Sequence, residues 1–421
     1  MPPSVSRRSA LKTLGLGASL SALGFLDRGA RAAEAVTTRV NRGTKPVTIT
    51  KVRAITCAPQ GGIRFVVVRV DTSEPGLYGL GCGTFNQRPL TVVTAVNEYL
   101  DPFARGRNVD DIEDIWQNAY TSSYWRNGPV MNNALSGLDL ALWDLIGKIN
   151  GEPVWKMLGG FSNKIRAYAS SGVHRPIADM VTVARQARDL GFPALKVRFG
   201  RPKLDDDLAV VKAIRDDLDS SLELMVDCNQ GWRMPWDIAA PWTVDHATDV
   251  AKVLEDNGVY WMEEPLHRGD YDGMTELHNR VKIRIAGGEL TREPYEFREL
   301  LQRGCFDVFQ PDVVCTQGIT GLAKFAHEVA AAGKIFTPHT WGTGIGVMGN
   351  LHVTAGTVGA PFIEFPFDPP EWTTERRDYM LTNTIEADGE GWIHLSDEPG
   401  LGISLNEDVL RKTASDQATF S

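Results

Sequence analysis

Three short apolar runs share one design and decide the fold: Glu223-Leu-Met-Val-Asp-Cys-Asn229, Tyr260-Trp-Met-Glu-Glu-Pro265 and Ile283-Arg-Ile-Ala-Gly-Gly-Glu289. Each run predicts a buried strand with a carboxylate near its C-terminal end, namely Asp227, Glu263 and Glu289. The stretches between them carry helical periodicity, and strands that alternate with helices pair in parallel. The three carboxylates are therefore expected at one edge of one sheet. Converging carboxylates repel one another, and a divalent cation with oxygen ligands, best Mg²⁺, is the simplest remedy.

The same alternation of strands and helices continues on both sides of this region. Five further apolar runs predict strands: Ile165–Ser170, Ala194–Phe199, Asp307–Asp312, Lys334–His339 and Pro361–Phe365. Eight parallel strands separated by helices predict a (β/α)8-type barrel of the α/β class, with its last helix replaced or displaced. Active sites in that fold lie at the C-terminal ends of the strands, where the carboxylates fall.

Other strand ends carry polar residues that a packed barrel does not need. Lys196 and Arg198 stand two residues apart on the second strand and share one face, as do Asp227 and Asn229 on the third. The sixth, seventh and eighth strands end with Asp312, His339 and Glu364. Each alone is most simply a helix cap or a solvated charge. Their joint occurrence on successive strands indicates an active site.

The chain outside the barrel predicts two further parts. Residues 46–160 have the pattern of an α+β domain, which we expect to be completed by residues 385–421, and the barrel is expected over residues 161–384. Residues 1–33 resemble a twin-arginine-type signal peptide: Arg7-Arg8 precedes an apolar run and the small-x-small sequence Ala30-Arg31-Ala32. This predicts export of the folded protein to the periplasm, and a basic tail is the alternative.

The composition excludes some classes of partner. The formal net charge is −9 and no basic stripe is present, which argues against nucleic acid as a partner. The apolar run in the first 33 residues is too short and too weakly apolar to span a membrane as a stable helix. The five cysteines are scattered without a CxxC pair, so we expect small buried hydrophobic side chains rather than a disulfide framework.

From about Val47 to its end, the chain resembles the enolase superfamily in its mandelate racemase/muconate lactonizing branch. The motifs that carry this resemblance are Lys196-x-Arg198, Asp227-x-Asn229, Trp261-Met-Glu-Glu-Pro265, Gly287-Gly-Glu289, Pro311-Asp312 and His339. The resemblance implies a modified (β/α)7β barrel, of the TIM type, with an α+β N-terminal capping domain. It also implies that Asp227, Glu263 and Glu289 bind Mg²⁺. Relatives are often dimers or octamers, so a homo-oligomer is expected.

The chemistry that this family shares is abstraction of a proton α to a carboxylate. His339 is the expected base, with Asp312 orienting it, and Glu364 is expected to donate to or position the substrate carboxylate. Relatives that racemise carry Lys-x-Lys, where the second lysine is a base on the opposite face. Here that position is Arg198, which is a poor base because its guanidinium does not give up its proton in a protein. Lys196 remains either a second base or a charge that stabilises the enediolate.

A single histidine base fits dehydration of a sugar acid to a 2-keto acid. Candidate contacts to the substrate are Asn229 in the barrel and, in the first domain, Thr84, Asn86, Gln87, Arg88 and Arg126. The first domain is similar to mannonate/gluconate dehydratase-like members, yet those members carry a histidine where Asn229 stands. A cycloisomerase or an epimerase/racemase on a related acid or its lactone therefore stays open. Outside the enzymes, the alternative is an inactive periplasmic ligand sensor.

Overall fold

The structure, a computed structural model, describes residues 46–58, 65–84, 88–121, 128–233, 240–357 and 360–413. The expected signal segment and three of the first-domain candidates, Asn86, Gln87 and Arg126, lie outside these ranges. Residues Thr48–Ser421 form one compact unit. All five cysteines are buried, as expected of small hydrophobic side chains. No helix in these ranges combines the length and the apolar character needed to cross a membrane.

The N-terminal part is a three-stranded antiparallel sheet covered by helices. Its strands are β1 (Ile49–Cys57), β2 (Phe65–Thr72) and β3 (Tyr78–Thr84), paired in that order. Its helices are α1 (Pro89–Thr94), α2 (Asp101–Ala104), α3 (Ile112–Thr121) and α4 (Pro129–Asn150), with a π-helical stretch, Ala95–Leu100, joining the first two. Helix α4 lies directly on β3: a Cβ atom at Gly81 would stand 2.0 Å from the carbonyl oxygen of Gly137. Glycine at position 81 therefore permits this close packing.

The eight predicted parallel strands are all present. They are β4 (Lys164–Ser170), β5 (Ala194–Arg198), β6 (Glu223–Asp227), β7 (Val259–Glu263), β8 (Arg284–Gly287), β9 (Val308–Phe309), β10 (Ile335–Phe336) and β11 (Ile363–Pro366). Pairing runs in chain order from β4 to β10, and β11 returns to pair with β4. Thr340, in the loop that follows β10, forms hydrogen bonds to β11. Its N–H donates to Glu364 Oε2, and its Oγ1 donates to the carbonyl of Glu364. The curled parallel sheet is the predicted TIM-type barrel.

Helices separate the barrel strands. After a short α5 (Val154–Met157), they are α6 (Ile177–Asp189), α7 (Leu204–Leu218), α8 (Val244–Asp256), α9 (Tyr271–Arg280), α10 (Pro294–Arg303), α11 (Gly318–Ala331) and α12 (Gly344–Gly356). In the described part of the chain, β11 is followed by α13 (Thr374–Arg377), β12 (Trp392–His394) and α14 (Glu407–Thr413) instead of an eighth crossover helix. This is the expected (β/α)7β arrangement.

The C-terminal segment contacts both parts of the molecule. Strand β12 pairs antiparallel with β4 of the barrel. Helix α14 lies against the small sheet, where Glu407 Oε1 is 3.2 Å from Arg69 Nη1 and the carbonyl of Thr413 accepts from the N–H of Ala58. Residues 392–413 therefore tie the N-terminal sheet to the first strand of the barrel.

The barrel interior changes from apolar to polar along each strand. A buried apolar layer is formed by Tyr168, Ala194, Met225, Trp261, Ala286 and Val308. Inward side chains recur every second residue along a strand, so the next inward positions toward the C-terminal end include Lys196, Asp227, Glu263 and Gln310. The candidate site thus rests on an apolar floor.

Candidate active site

The strand register brings the predicted acidic residues to one edge of the barrel. Asp227 pairs in parallel with Glu263, the last residue of β7. Glu289 follows β8 after Gly288, whose φ of +111° is a conformation that L side chains rarely adopt. A Cβ atom at Gly288 would also stand 2.9 Å from Phe297 Cε1, so this turn requires glycine. Backbone geometry therefore places all three carboxylates at the C-terminal end of the barrel.

Lys196 lies between two carboxylates and is 3% exposed. Its Nζ is 2.8 Å from Glu263 Oε1 and 2.7 Å from Glu364 Oε1. Burial opposes its charge, but the two carboxylates outweigh burial and hold the pKa of Lys196 well above its ordinary value. The geometry therefore favours the charge-stabilising alternative for Lys196 over a role as a second base.

Glu364 is fully buried and is bonded at both oxygens. Oε1 accepts from Ser170 Oγ at 2.8 Å as well as from Lys196, and Oε2 accepts from the N–H of Thr340 at 2.7 Å. Burial raises the pKa of Glu364, but Lys196 and His339 lower it further, so it falls below its ordinary value. An ionised carboxylate has no proton to donate. In this arrangement Glu364 fixes Lys196 and the backbone beside His339.

His339 and Asp312, predicted as the base and its partner, form a buried pair. His339 Nδ1 is 2.9 Å from Asp312 Oδ2, and Nε2 is 3.5 Å from Glu289 Oε2. The other oxygen of Asp312, Oδ1, accepts from Asn350 Nδ2 at 2.9 Å and from the N–H of Val314 at 3.1 Å. With Asp312 as an acceptor, Nδ1 carries the ring proton and Nε2 faces the acidic edge.

Negative charge around the ring keeps His339 protonated. Burial lowers the pKa of His339, but Glu289, Glu364 and Asp312 outweigh burial and raise it to about 10. The ring is therefore positively charged at neutral pH in this arrangement. Neutralisation of Glu289 would remove one of these charges and bring the pKa down toward the range of a general base.

The acidic residues fit a hard cation in donor type and in charge. Burial raises the pKa of both Glu263 and Glu289, and the charge of Asp227 adds to both shifts, so positive charge is favoured here. Among the described residues, however, no group of three His, Cys, Asp or Glu side chains stands ready to hold a metal ion. Glu263 instead accepts from Lys196, Trp261 and Gln310. A cation at this edge requires the carboxylates to turn toward one point.

Arg198 and Asn229 are bonded to each other at the end of β5. Arg198 Nη2 donates to Asn229 Oδ1, and the guanidinium carbon lies 5.9 Å from the centre of the Trp232 ring. Asn229 has a φ of +52°, and its N–H donates to Asp227 Oδ1 at 2.9 Å. Asn229 therefore positions both Arg198 and Asp227, and its contact with a substrate stays a prediction.

Of the five candidate substrate contacts in the first domain, the structure describes two, Thr84 and Arg88. Arg88 is exposed, has a φ of +48° and bonds through its carbonyl oxygen to the N–H of Thr91 at the start of α1. Thr84 is the last residue of β3, and Arg126 lies in a part of the chain that the structure does not describe. Their roles toward a substrate stay predictions.

The N-terminal sheet nevertheless reaches the barrel end beside the His339–Asp312 pair. Thr343 Oγ1 donates to Cys82 Sγ of β3 at 3.4 Å. A narrow cleft beside this pair is lined by Cys82, Asp312, Val314, Thr340, Trp341, Gly342, Thr343, Gly346 and Asn350. Residues of the small sheet and of two barrel loops thus face the same space.

Several residues of the site were not found from the sequence. Gln310 Nε2 donates to Glu263 Oε2 at 2.7 Å, and Asn350 Nδ2 donates to both Asp312 and the carbonyl of His339. Gln310 could have been found, because it lies two residues before Asp312 and so shares its face. Asn350 lies in helix α12 and is fully buried, as are the polar residues His352 and Thr354 of the same helix. Polar residues within an apolar helical stretch need hydrogen-bond partners, and this is the signal that could have drawn attention to Asn350.

Comparison with known families matches both parts of the chain. The family model described as mandelate racemase/muconate lactonizing enzyme, N-terminal domain, matches residues 32–159. The one described as enolase C-terminal domain-like matches residues 179–409.

Individual relatives cover nearly the whole chain. The D-galactonate dehydratase family member RspA of Pantoea ananatis is 34% identical, with 86% of this chain and 93% of the relative covered. An enolase from Pantoea ananatis, solved with bound D-gluconate and Mg, has a TM-score of 0.77 at 30% identity, with 88% and 95% covered. The 3,6-anhydro-D-galactonate cycloisomerase of Zobellia galactanivorans has a TM-score of 0.77 at 27% identity, with 88% and 100% covered. The chain belongs to the enolase superfamily, in its mandelate racemase/muconate lactonizing enzyme family.

Proposed function

We propose that the protein is a Mg²⁺-dependent hydro-lyase that dehydrates a sugar acid to a 2-keto acid. The observation that carries this proposal is the buried His339–Asp312 pair, whose Nε2 stands 3.5 Å from Glu289 at the acidic edge. One histidine positioned at a cluster of carboxylates supplies the single base that dehydration needs. The relatives that are named as dehydratases support the same reaction class.

The chain's own residues account for the proton transfers. His339 Nε2 accepts the proton from the carbon α to the substrate carboxylate, and the electrons of that C–H bond form the enediolate. As the enediolate collapses, the bond from the β-carbon to its hydroxyl breaks, and the leaving oxygen takes the proton from His339 to depart as water. The remaining enol tautomerises to the 2-keto acid.

Two positive groups would stabilise the charge of the enediolate, a bound metal ion and Lys196. Asp227, Glu263 and Glu289 would hold a Mg²⁺ ion, which would supply positive charge to stabilise the substrate carboxylate as an enediolate. Lys196 places a second positive charge within the same layer of the barrel, fixed by Glu364.

The presence of arginine at position 198 argues against a racemisation that uses two bases. Its guanidinium cannot accept a proton at neutral pH, because an arginine side chain in a protein is always protonated. The position instead offers N–H donors beside Asn229. These donors suit a hydroxyl or carboxylate of the substrate.

A cycloisomerase is the second candidate. This chain covers the entire length of the cycloisomerase of Zobellia galactanivorans. The TM-score of that structure is the same as the TM-score of the gluconate-bound enolase of Pantoea ananatis. Both reactions begin with removal of an α-proton, so the geometry of His339 serves either one. Only dehydration releases a 2-keto acid.

The test is a proton NMR spectrum of the purified protein in D2O with Mg²⁺ and a library of aldonic and aldaric acids. Loss of the α-proton signal together with growth of a 2-keto acid supports the proposal, and His339→Asn should abolish both. Deuterium exchange without loss of water points to epimerisation or racemisation, and a new lactone or its opening points to cycloisomerisation. No exchange with any acid, despite Mg²⁺ binding, supports the ligand sensor.

We also propose that the protein works in the periplasm. The support is the twin-arginine-type sequence around Arg7-Arg8, which lies outside the described residues. Replacement of both arginines with lysine should retain the protein in the cytoplasm, and cell fractionation with an antibody measures this. Unchanged export of the double variant would exclude the twin-arginine route.

A further inference from the structure

A second buried carboxylate, Glu293, lies outside the acidic cluster and is 3% exposed. Oε1 accepts from Asn132 Nδ2 at 2.6 Å and from the N–H of Gly128 at 3.2 Å. Oε2 accepts from the hydroxyl of Tyr120 at 2.9 Å and from Gln317 Nε2 at 3.3 Å. Three of the four donors belong to the N-terminal domain, and the fourth precedes helix α11 of the barrel. One carboxylate therefore joins the two parts of the molecule.

These contacts require an ionised carboxylate. Its two oxygens are acceptors only and can serve all four donors at once. Burial and then the bond to Glu293 raise the pKa of Tyr120 to about 12, so the phenol keeps its proton and acts as a donor. A glutamine at position 293 would keep the size of the side chain. Its NH2 group, however, would face N–H donors where Glu293 has an acceptor.

Glu293 is also rigidly connected to Glu289. Between them the chain makes a tight turn, in which the N–H of Thr291 donates to the carbonyl of Gly288 at 3.0 Å. The carbonyl of Thr291 accepts from Thr316 Oγ1 at 3.0 Å. Glu293 directly precedes helix α10, and its N–H donates to Glu296 Oε2 in the first turn at 3.2 Å. A displacement of Glu293 is therefore transmitted through the three intervening residues, Leu290 to Arg292, to the Glu289 carboxylate.

We propose that Glu293 is a positioning residue that couples the N-terminal domain to the cation-binding edge of the barrel. The inference rests on the proposed function, because it assigns Glu289 to the cation. Through Tyr120, Gly128 and Asn132, the carboxylate holds both ends of the chain segment that joins α3 to α4. Through the turn to Glu289, it sets the position of a cation ligand. The N-terminal domain and the cation site therefore depend on each other.

The first experiment measures cation binding directly, without a substrate. Isothermal titration with Mg²⁺ compares the full-length protein with Glu293→Gln. We expect the dissociation constant of the variant to rise about tenfold, a size typical of substitutions that act on a site through bonded neighbours.

The matched control is Asp139→Asn. Asp139 lies on α4, the helix that also carries Asn132. It is 1% exposed and accepts from the N–H of Thr320 at 2.9 Å, so it also ties the N-terminal domain to the barrel. It makes no bond to the turn that carries Glu289. The control should lose stability in thermal unfolding, while its dissociation constant for Mg²⁺ changes by less than about twofold.

A milder variant, Tyr120→Phe, keeps the experiment decisive if Glu293→Gln does not fold. It removes one of the four donors and leaves the carboxylate in place. We expect a rise of about two- to threefold in the dissociation constant for Mg²⁺. Hydrogen–deuterium exchange should increase in residues 289–293 as well as in residues 128–132, because the two segments share one carboxylate.

The outcomes separate this inference from the proposed function. If the unaltered protein binds no Mg²⁺, the proposed function and the coupling both fail. If it binds Mg²⁺ and Glu293→Gln binds it equally well, only the coupling is overturned. Equal losses in Glu293→Gln and Asp139→Asn would also overturn it, since a general loss of stability would then account for both.

Discussion

The change Asp312→Asn tests the proposed role of His339 at a single hydrogen bond. Two N–H donors, from Asn350 and the backbone of Val314, point at Asp312 Oδ1. The amide oxygen of an asparagine at this position must face those donors, because its NH2 group would oppose them. The NH2 group then faces His339 Nδ1, which becomes an acceptor. The ring proton moves to Nε2, and the atom that should receive the α-proton is already protonated.

The expected loss of rate follows from this change of tautomer. General base catalysis contributes about 10²- to 10⁴-fold, and a carboxylate-to-amide change that imposes the wrong tautomer removes nearly all of it. We expect kcat to fall by about 10³-fold, which corresponds to about 4 kcal/mol in the barrier. Substrate KM should change little, because Asp312 is 1% exposed and both of its oxygens are already engaged by His339, Asn350 and Val314.

The assay is deuterium incorporation at the α-carbon, followed by proton NMR with the best acid from the library. Asp312→Ala is the comparison, since it removes the same charge but leaves the ring free to place its proton on either nitrogen. The tautomer argument requires Asp312→Asn to be at least as slow as Asp312→Ala. The reasoning is refuted if Asp312→Asn keeps more than about a tenth of the rate, or if ¹⁵N spectra of labelled histidine show the proton still on Nδ1.

Three further predictions concern the fold, the substrate and the metal. His352 is buried between the N–H of Trp155 and the carbonyl of Leu401, and burial lowers its pKa from 6.5 to about 4. The unfolded chain therefore binds more protons below pH 6.5, so acidification from pH 7 to pH 4 should remove about 3 kcal/mol of stability through this residue. In denaturant titrations His352→Gln should lessen that loss, whereas the same change at the exposed His327 should not. Arg198→Lys should raise KM about tenfold by removing the planar donor pair, and an unchanged KM would exclude Arg198 from substrate binding. Chelation with EDTA should abolish α-proton exchange, and added Mg²⁺ should restore it; full activity after exhaustive chelation would contradict the metal requirement.

Much of the barrel could be predicted because its signals are local. Parallel strands covered by helices are buried on both faces, so they read as short apolar runs. The period of two residues then assigns Lys196 and Asp227 to the inward face of β5 and β6. Both predictions need only neighbouring residues, and all eight predicted strands are present in the structure.

The partners of the site residues depend on closure of the barrel. Lys196 on β5 meets Glu263 two strands away in one direction and Glu364 two strands away in the other. These residues are separated by 67 positions or more in the sequence. No pattern of neighbouring residues in the sequence predicts which strand-end side chains contact each other. Asn350 was missed for the same reason, because it reaches Asp312 and His339 from a helix.

The sequence by itself determined where the strands lie, which side chains point inward and which chemical groups stand at the barrel end. Only the tertiary structure decided the state of those groups. Glu263 and Glu364 are the same residue type and share the ammonium of Lys196, yet the pKa of the first is raised and that of the second is lowered. Burial raises the pKa of Glu263, and the charges of Asp227 and Glu289 raise it further, whereas at Glu364 burial is outweighed by Lys196, His339 and an N–H donor. Ionisation responds to charges within a few ångströms in space, and those neighbours come from distant parts of the chain.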